Sequence, residues 1–173
     1  MRITIALLFL CLFSVPCLRA QDWTPPENVK LEKAEDYKAY EKDVLAAIDL
    51  LEKTPVGQGS EKRKQAGAFF MQWIAGSPDV SVELNANVAT FMNGDNAAHL
   101  LLAFMGGWTR YALTDAQGGK DSFQGNLAGL KSVIHLYRDT GGLKKDKEVE
   151  KLVKLDKDGK LEDWLRGQLK KKS

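Results

Sequence analysis

Cysteine is almost absent from this 173-residue sequence, which contains only Cys11 and Cys17. Both lie within the first 17 residues, so the rest of the chain has no thiol. This absence excludes a disulfide framework, a cysteine nucleophile, a zinc finger and a thiolate-bound iron–sulfur cluster from everything that follows them. We predict no cofactor.

Long hydrophobic runs are also lacking. An uncharged, mainly apolar stretch covers residues 3–15, which is 13 residues, whereas a membrane-spanning helix needs about 20. Arg2 precedes the stretch and Ala20 follows it, a pattern that predicts a signal peptide over residues 1–20, cleaved near Ala20. Pro16 stands where a lipid-anchoring motif needs a small residue before Cys17, so no anchor is predicted. We expect a periplasmic or secreted bacterial protein.

The predicted mature chain also lacks a net charge. The chain has 25 Lys and Arg residues against 23 Asp and Glu residues, and the predicted leader removes Arg2 and Arg19 but no acid. The remaining 23 basic and 23 acidic residues cancel. A neutral domain lacks the field that attracts nucleic acid or anionic lipid. We therefore predict no nucleic-acid partner and no membrane span, while a protein or small-molecule partner and the oligomeric state stay open.

The sequence does contain apolar residues at helical periodicity. Apolar residues recur at steps of three and four, and glycine or proline interrupts the pattern between segments. The resulting helices cover residues 35–53, 61–75, 96–113 and 121–140, and two charged helices follow. Residues 21–34 are predicted to be an extended entry, and residues 80–84 an extended segment that leads into a short helix. Removing 20 of 173 residues leaves 153, enough for one domain.

The predicted fold is therefore all-α, a compact bundle of about six helices over residues 35–173. A second arrangement stays open. Ala68-Phe69 with Trp73, and Ala103-Phe104 with Trp108, repeat at an offset of 35 residues. This offset is close to the tetratricopeptide period, so a short array of helical hairpins is the alternative.

A buried helical hairpin is predicted at the centre of the bundle. Residues 97–109 contain no charged side chain, which is typical of a helix buried on every side. Gly106 and Gly107 lie in this helix, and Gly125 and Gly129 lie in the next. An interior glycine costs about 1 kcal/mol relative to alanine, so another backbone is expected nearby. A hairpin centred near residue 117 would bring these small residues together.

The two histidines are weak metal candidates. His99 and His135 are equidistant from residue 117, so the hairpin would place them at the same level, where two imidazoles can hold a metal or a haem. His135 shares its helix face with Lys131 and Arg138, however, and these cations disfavour a bound metal ion. We therefore predict no metal site.

Glu83 is a weak catalytic candidate. It is the only acid between Asp79 and Asp95, and a carboxyl group held among apolar side chains could stay protonated and act as a general acid. Glycan hydrolysis normally needs a second carboxylate, and Asp95, the obvious partner, is expected to cap a helix instead. No Gly-x-Ser-x-Gly, phosphate-loop or His-Glu-x-x-His motif occurs.

A ligand cleft is the remaining candidate site. Its predicted lining is Trp73, Trp108, Arg110, Tyr111 and Asn126, although aromatic residues at helical spacing are often simply core residues. Together these patterns favour a non-catalytic partner- or ligand-binding protein of the bacterial cell envelope. The alternative is a small helical glycan hydrolase that uses Glu83.

Overall fold

A computed structural model describes residues 23–58 and 60–171, with only the backbone of Ser60. The predicted leader, residues 1–20, lies outside the described residues. No helix of the described part is long and apolar enough to cross a membrane. The described part also contains no cysteine, and hence no disulfide.

Seven α-helices form the fold, and the described residues include no strand. In chain order they are α1 (Ala34–Ala39), α2 (Glu41–Lys53), α3 (Ser60–Gly76), α4 (Ala97–Thr114), α5 (Ser122–His135), α6 (Lys147–Lys157) and α7 (Leu161–Leu169). A 3-10 turn (Thr90–Asn93) precedes α4, and a π-helical turn (Leu136–Thr140) extends α5. The all-α prediction is confirmed.

The first predicted helix is divided into two. The break falls at Tyr40, whose N–H bonds to the carbonyl of Tyr37 at 3.2 Å, a tight turn that ends α1. The Tyr40 ring packs edge-on against Phe69 of α3, with ring centroids 6.2 Å apart. This contact fastens the break to α3, at a position where the sequence has neither glycine nor proline.

The central hairpin is confirmed, with α4 packed along α5 and centred near residue 117. A Cβ atom built on Gly107 would lie 2.5 Å from the carbonyl oxygen of Ala128, so these backbones do approach closely. The expectation of small residues facing small residues is wrong at Gly125 and Gly129, which accommodate the rings of Trp108 and Phe104. Gly106 faces Ile48 of α2 instead.

The sequence predicted that Asp95 caps α4, and this prediction is wrong. The cap is Asn96, without a side-chain cap bond, and the Asp95 carboxylate pairs with Lys144 Nζ at 2.7 Å. The buried Asn96 amide exchanges two hydrogen bonds with the backbone of Lys144, at 2.7 and 3.1 Å. These bonds fasten the start of α4 to the segment that leads into α6.

The core consists of two hydrophobic clusters. The larger cluster joins the inner faces of α4 and α5 to α6, α7 and the 3-10 turn. The smaller cluster joins α1, α2 and α3, together with Trp23 of the entry segment. Both α3 and α4 pack on α2, but they make little direct contact with each other. A tetratricopeptide-like array would pack such neighbours directly, so the arrangement is a bundle.

Thr109 of α4 supplies a test of this packing. Its side chain is fully buried, and its hydroxyl has no hydrogen-bond partner among the described residues. Because burying an unpaired hydroxyl is unfavourable, Thr109→Val should raise the free energy of unfolding by about 1 kcal/mol in urea melts. Thr114→Val is the control, since the Thr114 hydroxyl bonds to the Arg110 carbonyl at 2.7 Å and should give no gain. A less stable Thr109→Val protein would contradict this.

Candidate functional site

An apolar groove runs between α3 and α4, and its volume is about 640 Å³. It exists because both helices rest on α2 and leave a space between them. Its lining is Leu51, Val56 and Gly57 at the end of α2 and its loop, Arg63, Lys64, Gly67, Ala68 and Met71 of α3, and Ala98, His99, Leu101, Leu102 and Met105 of α4.

The groove corrects the prediction that α4 is buried on every side. Leu101, Leu102 and Met105 are only half-buried, because this face of α4 is covered only in part and borders the groove. Across the groove, the side chain of Met71 is 43% exposed. The charge-free segment therefore has one face in the core and another along an open apolar surface.

Small residues of α3 keep the groove open. A Cβ atom built on Gly67 would lie 3.3 Å from Cδ2 of Leu102, which leaves no room for a larger residue without displacing that side chain. The next residue, Ala68, is exposed and lines the groove. Mid-helix glycine is unfavourable by about 1 kcal/mol relative to alanine, and at Gly67 it admits the Leu102 side chain.

Arg63 is the buried cation of the groove, with only 7% of its surface exposed. Its Nη1 donates to the carbonyl oxygens of Leu51 and Thr54, where α2 ends, and the second bond measures 2.7 Å. These bonds satisfy terminal carbonyls of α2. Among the described residues no carboxylate pairs with Arg63, and burial lowers the pKa of this guanidinium from its usual value.

His99 stands at the same end of the groove. Partial burial, and then the positive charge of Arg63, lower the pKa of His99 below its usual value. Lys64 is also there, exposed and 4.0 Å from the carboxylate of Glu61. Among residues 23–58 and 60–171, no Asp or Glu lines the groove.

A second, polar depression contains Arg110, Tyr111 and His135. Arg110 Nη2 lies 2.7 Å from a carboxylate oxygen of Asp49 and 2.7 Å from one of Glu52. Burial alone would lower the pKa of Arg110, but these two acids outweigh it and raise that pKa. The hydroxyl of Ser132 donates to Glu52 at 2.5 Å. Because Arg110 of α4 and Ser132 of α5 both bind Glu52 of α2, this network ties the three helices together.

The structure does not bring His99 and His135 together. They line separate depressions that share no lining residue. Nδ1 of His135 lies 2.9 Å from the Asp139 carboxylate. Hydrogen bonds from Arg138 and then from His135 hold the pKa of Asp139 down at about 2. Residues 23–58 and 60–171 contain no group of three or more His, Asp or Glu that could hold a metal ion.

The five residues predicted to line a ligand cleft are also separated. Trp73 is buried in the smaller cluster and donates through Nε1 to the Tyr37 carbonyl at 2.9 Å. Trp108 is buried in the larger cluster, against Gly125. Asn126 is buried and donates to the Ser122 carbonyl at 2.8 Å. Arg110 and Tyr111 share a depression, whereas the two tryptophans lie in different clusters.

Glu83 is exposed and accepts a hydrogen bond from the Ser122 hydroxyl at 2.7 Å. The apolar surroundings that the general-acid hypothesis required are absent from this position. Asp95, the second carboxylate considered, is engaged by Lys144. The geometry gives the hydrolase hypothesis no support, and it stays a prediction.

Sequence reasoning missed Arg63 and the groove around it. One signal was available: Ala66, Gly67 and Ala68 are three consecutive small residues, and the last two lie on the side of the helix away from Trp73. Comparison with known proteins adds nothing to this picture, because no family model, curated protein or solved structure matches the chain.

Proposed function

We propose that this chain is an exported, non-catalytic protein of the bacterial cell envelope that binds an elongated apolar ligand in the groove between α3 and α4. One observation carries the proposal. Two helices, α3 and α4, present apolar side chains to an open groove of about 640 Å³.

The size and the lining of the groove both support binding. Small-molecule sites typically measure about 300–1,000 Å³ and combine apolar walls with a few polar groups. Here the polar groups are Arg63, Lys64 and His99, and they stand at one end. Apolar surface left open to water is unfavourable, and a ligand that covered it would regain the hydrophobic free energy.

The location rests on the leader-like segment. Residues 1–20 combine a basic start, an apolar stretch and a small residue at the expected cut, which supports export. Apolar ligands require carriers or receptors in the aqueous compartments of the envelope, since they are poorly soluble there.

A neutral dye tests the proposed function. N-phenyl-1-naphthylamine fluoresces strongly in apolar surroundings and carries no charge, so it should bind saturably at one site per chain. Ala68→Trp fills the groove from α3 and should weaken binding about tenfold or more, which corresponds to about 1.4 kcal/mol. Ala75→Trp is the matched control, because Ala75 is exposed on the same helix but does not line the groove.

Two results would overturn the proposal. The first is the absence of saturable binding to a folded protein. The second is equal dye affinity in the parent, Ala68→Trp and Ala75→Trp proteins, which would place the dye elsewhere.

A further inference from the structure

The groove between α3 and α4 has two chemically different ends. Arg63 acts electrostatically on His99, and Gly67 lies against Leu102, so α3 and α4 run in the same direction along the groove. The cations therefore stand at the start of both helices, and Met71 and Met105 stand further along. From Arg63 to Met71 the lining extends about 12 Å, at 1.5 Å per helical residue.

From this polarity we infer that the ligand is a single-chain aliphatic carboxylate, with its carboxylate at Arg63 and its tail directed toward Met71. The inference rests on the proposed function and names the class of ligand.

Arg63 is suited to this role because its charge is buried without an acid. Both of its hydrogen bonds to the end of α2 use Nη1. A desolvated guanidinium is unfavourable unless it is paired, and its planar fork of donors matches a carboxylate. A carboxylate arriving at this end would supply the missing counter-charge.

The charges around Arg63 also favour a carboxylate at this end of the groove. Among the described residues, the ionisable side chains of the lining are Arg63, Lys64 and His99 and include no acid, although Glu61 outside the lining lies 4.0 Å from Lys64. The chain as a whole is nearly neutral. The N-termini of α3 and α4 lie at this end, and their dipoles add to the positive field. Such an end favours an anionic head group over a neutral one, and it repels a cationic one.

The tail region is suited to an unbranched chain. Gly67 and Leu102 narrow the middle of the groove. Met71 and Met105 follow, and methionine adapts its flexible thioether side chain to ligands of different shape. The groove is thus apolar and adaptable away from Arg63.

Three ligands with the same tail test the inference, each kept below its critical micelle concentration. Dodecanoate, 1-dodecanol and dodecyltrimethylammonium are titrated against the bound naphthylamine dye. The concentration that displaces the dye should be lower for dodecanoate than for the alcohol, by about tenfold or more. The ammonium compound should bind most weakly of the three. Equal affinities for the carboxylate and the alcohol would overturn the inference and leave the proposed function intact, whereas failure of all three would overturn both.

Arg63→Gln should remove the preference for dodecanoate over dodecanol while the affinity for dodecanol is retained. Because Arg63 also caps α2, circular dichroism first checks that this variant folds. If it does not fold, the double variant Lys64→Gln, His99→Gln carries the test and should reduce the preference about threefold or more. Lys42→Gln is the control, since Lys42 is exposed on α2 and does not line the groove. A full preference in the folded Arg63→Gln protein would overturn the inference.

Two further readouts locate the ligand and identify a competing occupant. The NMR signals of the His99 ring should shift with dodecanoate and shift much less with dodecanol, while those of His135 stay unchanged. A ligand-free dimer that becomes monomeric in Ala68→Trp, measured by analytical ultracentrifugation, would instead assign the groove to a second copy of the chain and overturn the inference.

Discussion

Gly107→Leu is expected to lower the free energy of unfolding by about 3 kcal/mol, the upper part of the usual range for overpacking a core. The cause is backbone contact. A Cβ atom at this position would lie 2.5 Å from the Ala128 carbonyl oxygen and 2.6 Å from Oγ of Ser132, so α4 and α5 would have to separate. Urea melts followed by circular dichroism measure the change.

Gly167→Leu is the matched control, and its expected change in the free energy of unfolding has the opposite sign. Gly167 lies within α7, and a Cβ atom built there meets nothing within 4 Å. Leucine has the better helix propensity, so this variant should gain up to about 1 kcal/mol. A Gly107→Leu protein as stable as the parent would show that the hairpin does not hold these backbones together.

Phe104→Ala should lower the free energy of unfolding by about 3–5 kcal/mol, the usual cost of removing a buried aromatic ring. The Phe104 side chain is fully buried in the larger cluster, and a Cβ atom built on Gly129 would lie 2.6 Å from its Cδ2. Gly129→Leu alone should therefore destabilise through a collision with the ring. In the double variant the leucine enters the space that the ring has left, and the loss should fall short of the sum by about 1 kcal/mol or more.

Phe69 provides the control for this cycle. It is also a buried phenylalanine, but it belongs to the smaller cluster. Combining Phe69→Ala with Gly129→Leu should give additive losses, because distant sites do not couple. Strict additivity of Phe104→Ala with Gly129→Leu would contradict the contact seen between α4 and α5.

Helix positions were largely predictable from the sequence. The predicted ranges 61–75 and 96–113 agree within one residue with α3 and α4. Apolar periodicity and interrupting glycines or prolines are local signals, and they report directly on local structure. The register of the hairpin was predictable too, since an interior glycine is unfavourable unless another group approaches it.

The groove was not predictable from the same signals. The charge-free run at residues 97–109 predicts that this part of α4 is buried, but it does not indicate which helices cover it. Whether α3 contacts α4 depends on how both helices pack on α2. The apolar periodicity of a single helix does not specify that packing. The burial of Arg63 depends on the same arrangement, because its partners are carbonyls at the end of another helix.

The separation of the two tryptophans of the predicted cleft was not predictable for a related reason. Trp73 and Trp108 occupy equivalent places in two similar sequence segments, yet they pack in different clusters. Helical spacing identifies the face on which a ring lies. It does not identify the neighbour that the face meets.

The division of the core into two clusters has a consequence for amide hydrogen exchange. Detaching α1, α2 and α3 disrupts the smaller cluster and leaves the α4–α5 hairpin in place, so a partial opening costs less free energy than global unfolding. The amides of α3 should therefore exchange with solvent faster than those at the centre of α5. A molecule held between α3 and α4 contacts both sides of this division, and its occupancy would slow exchange in α3 most.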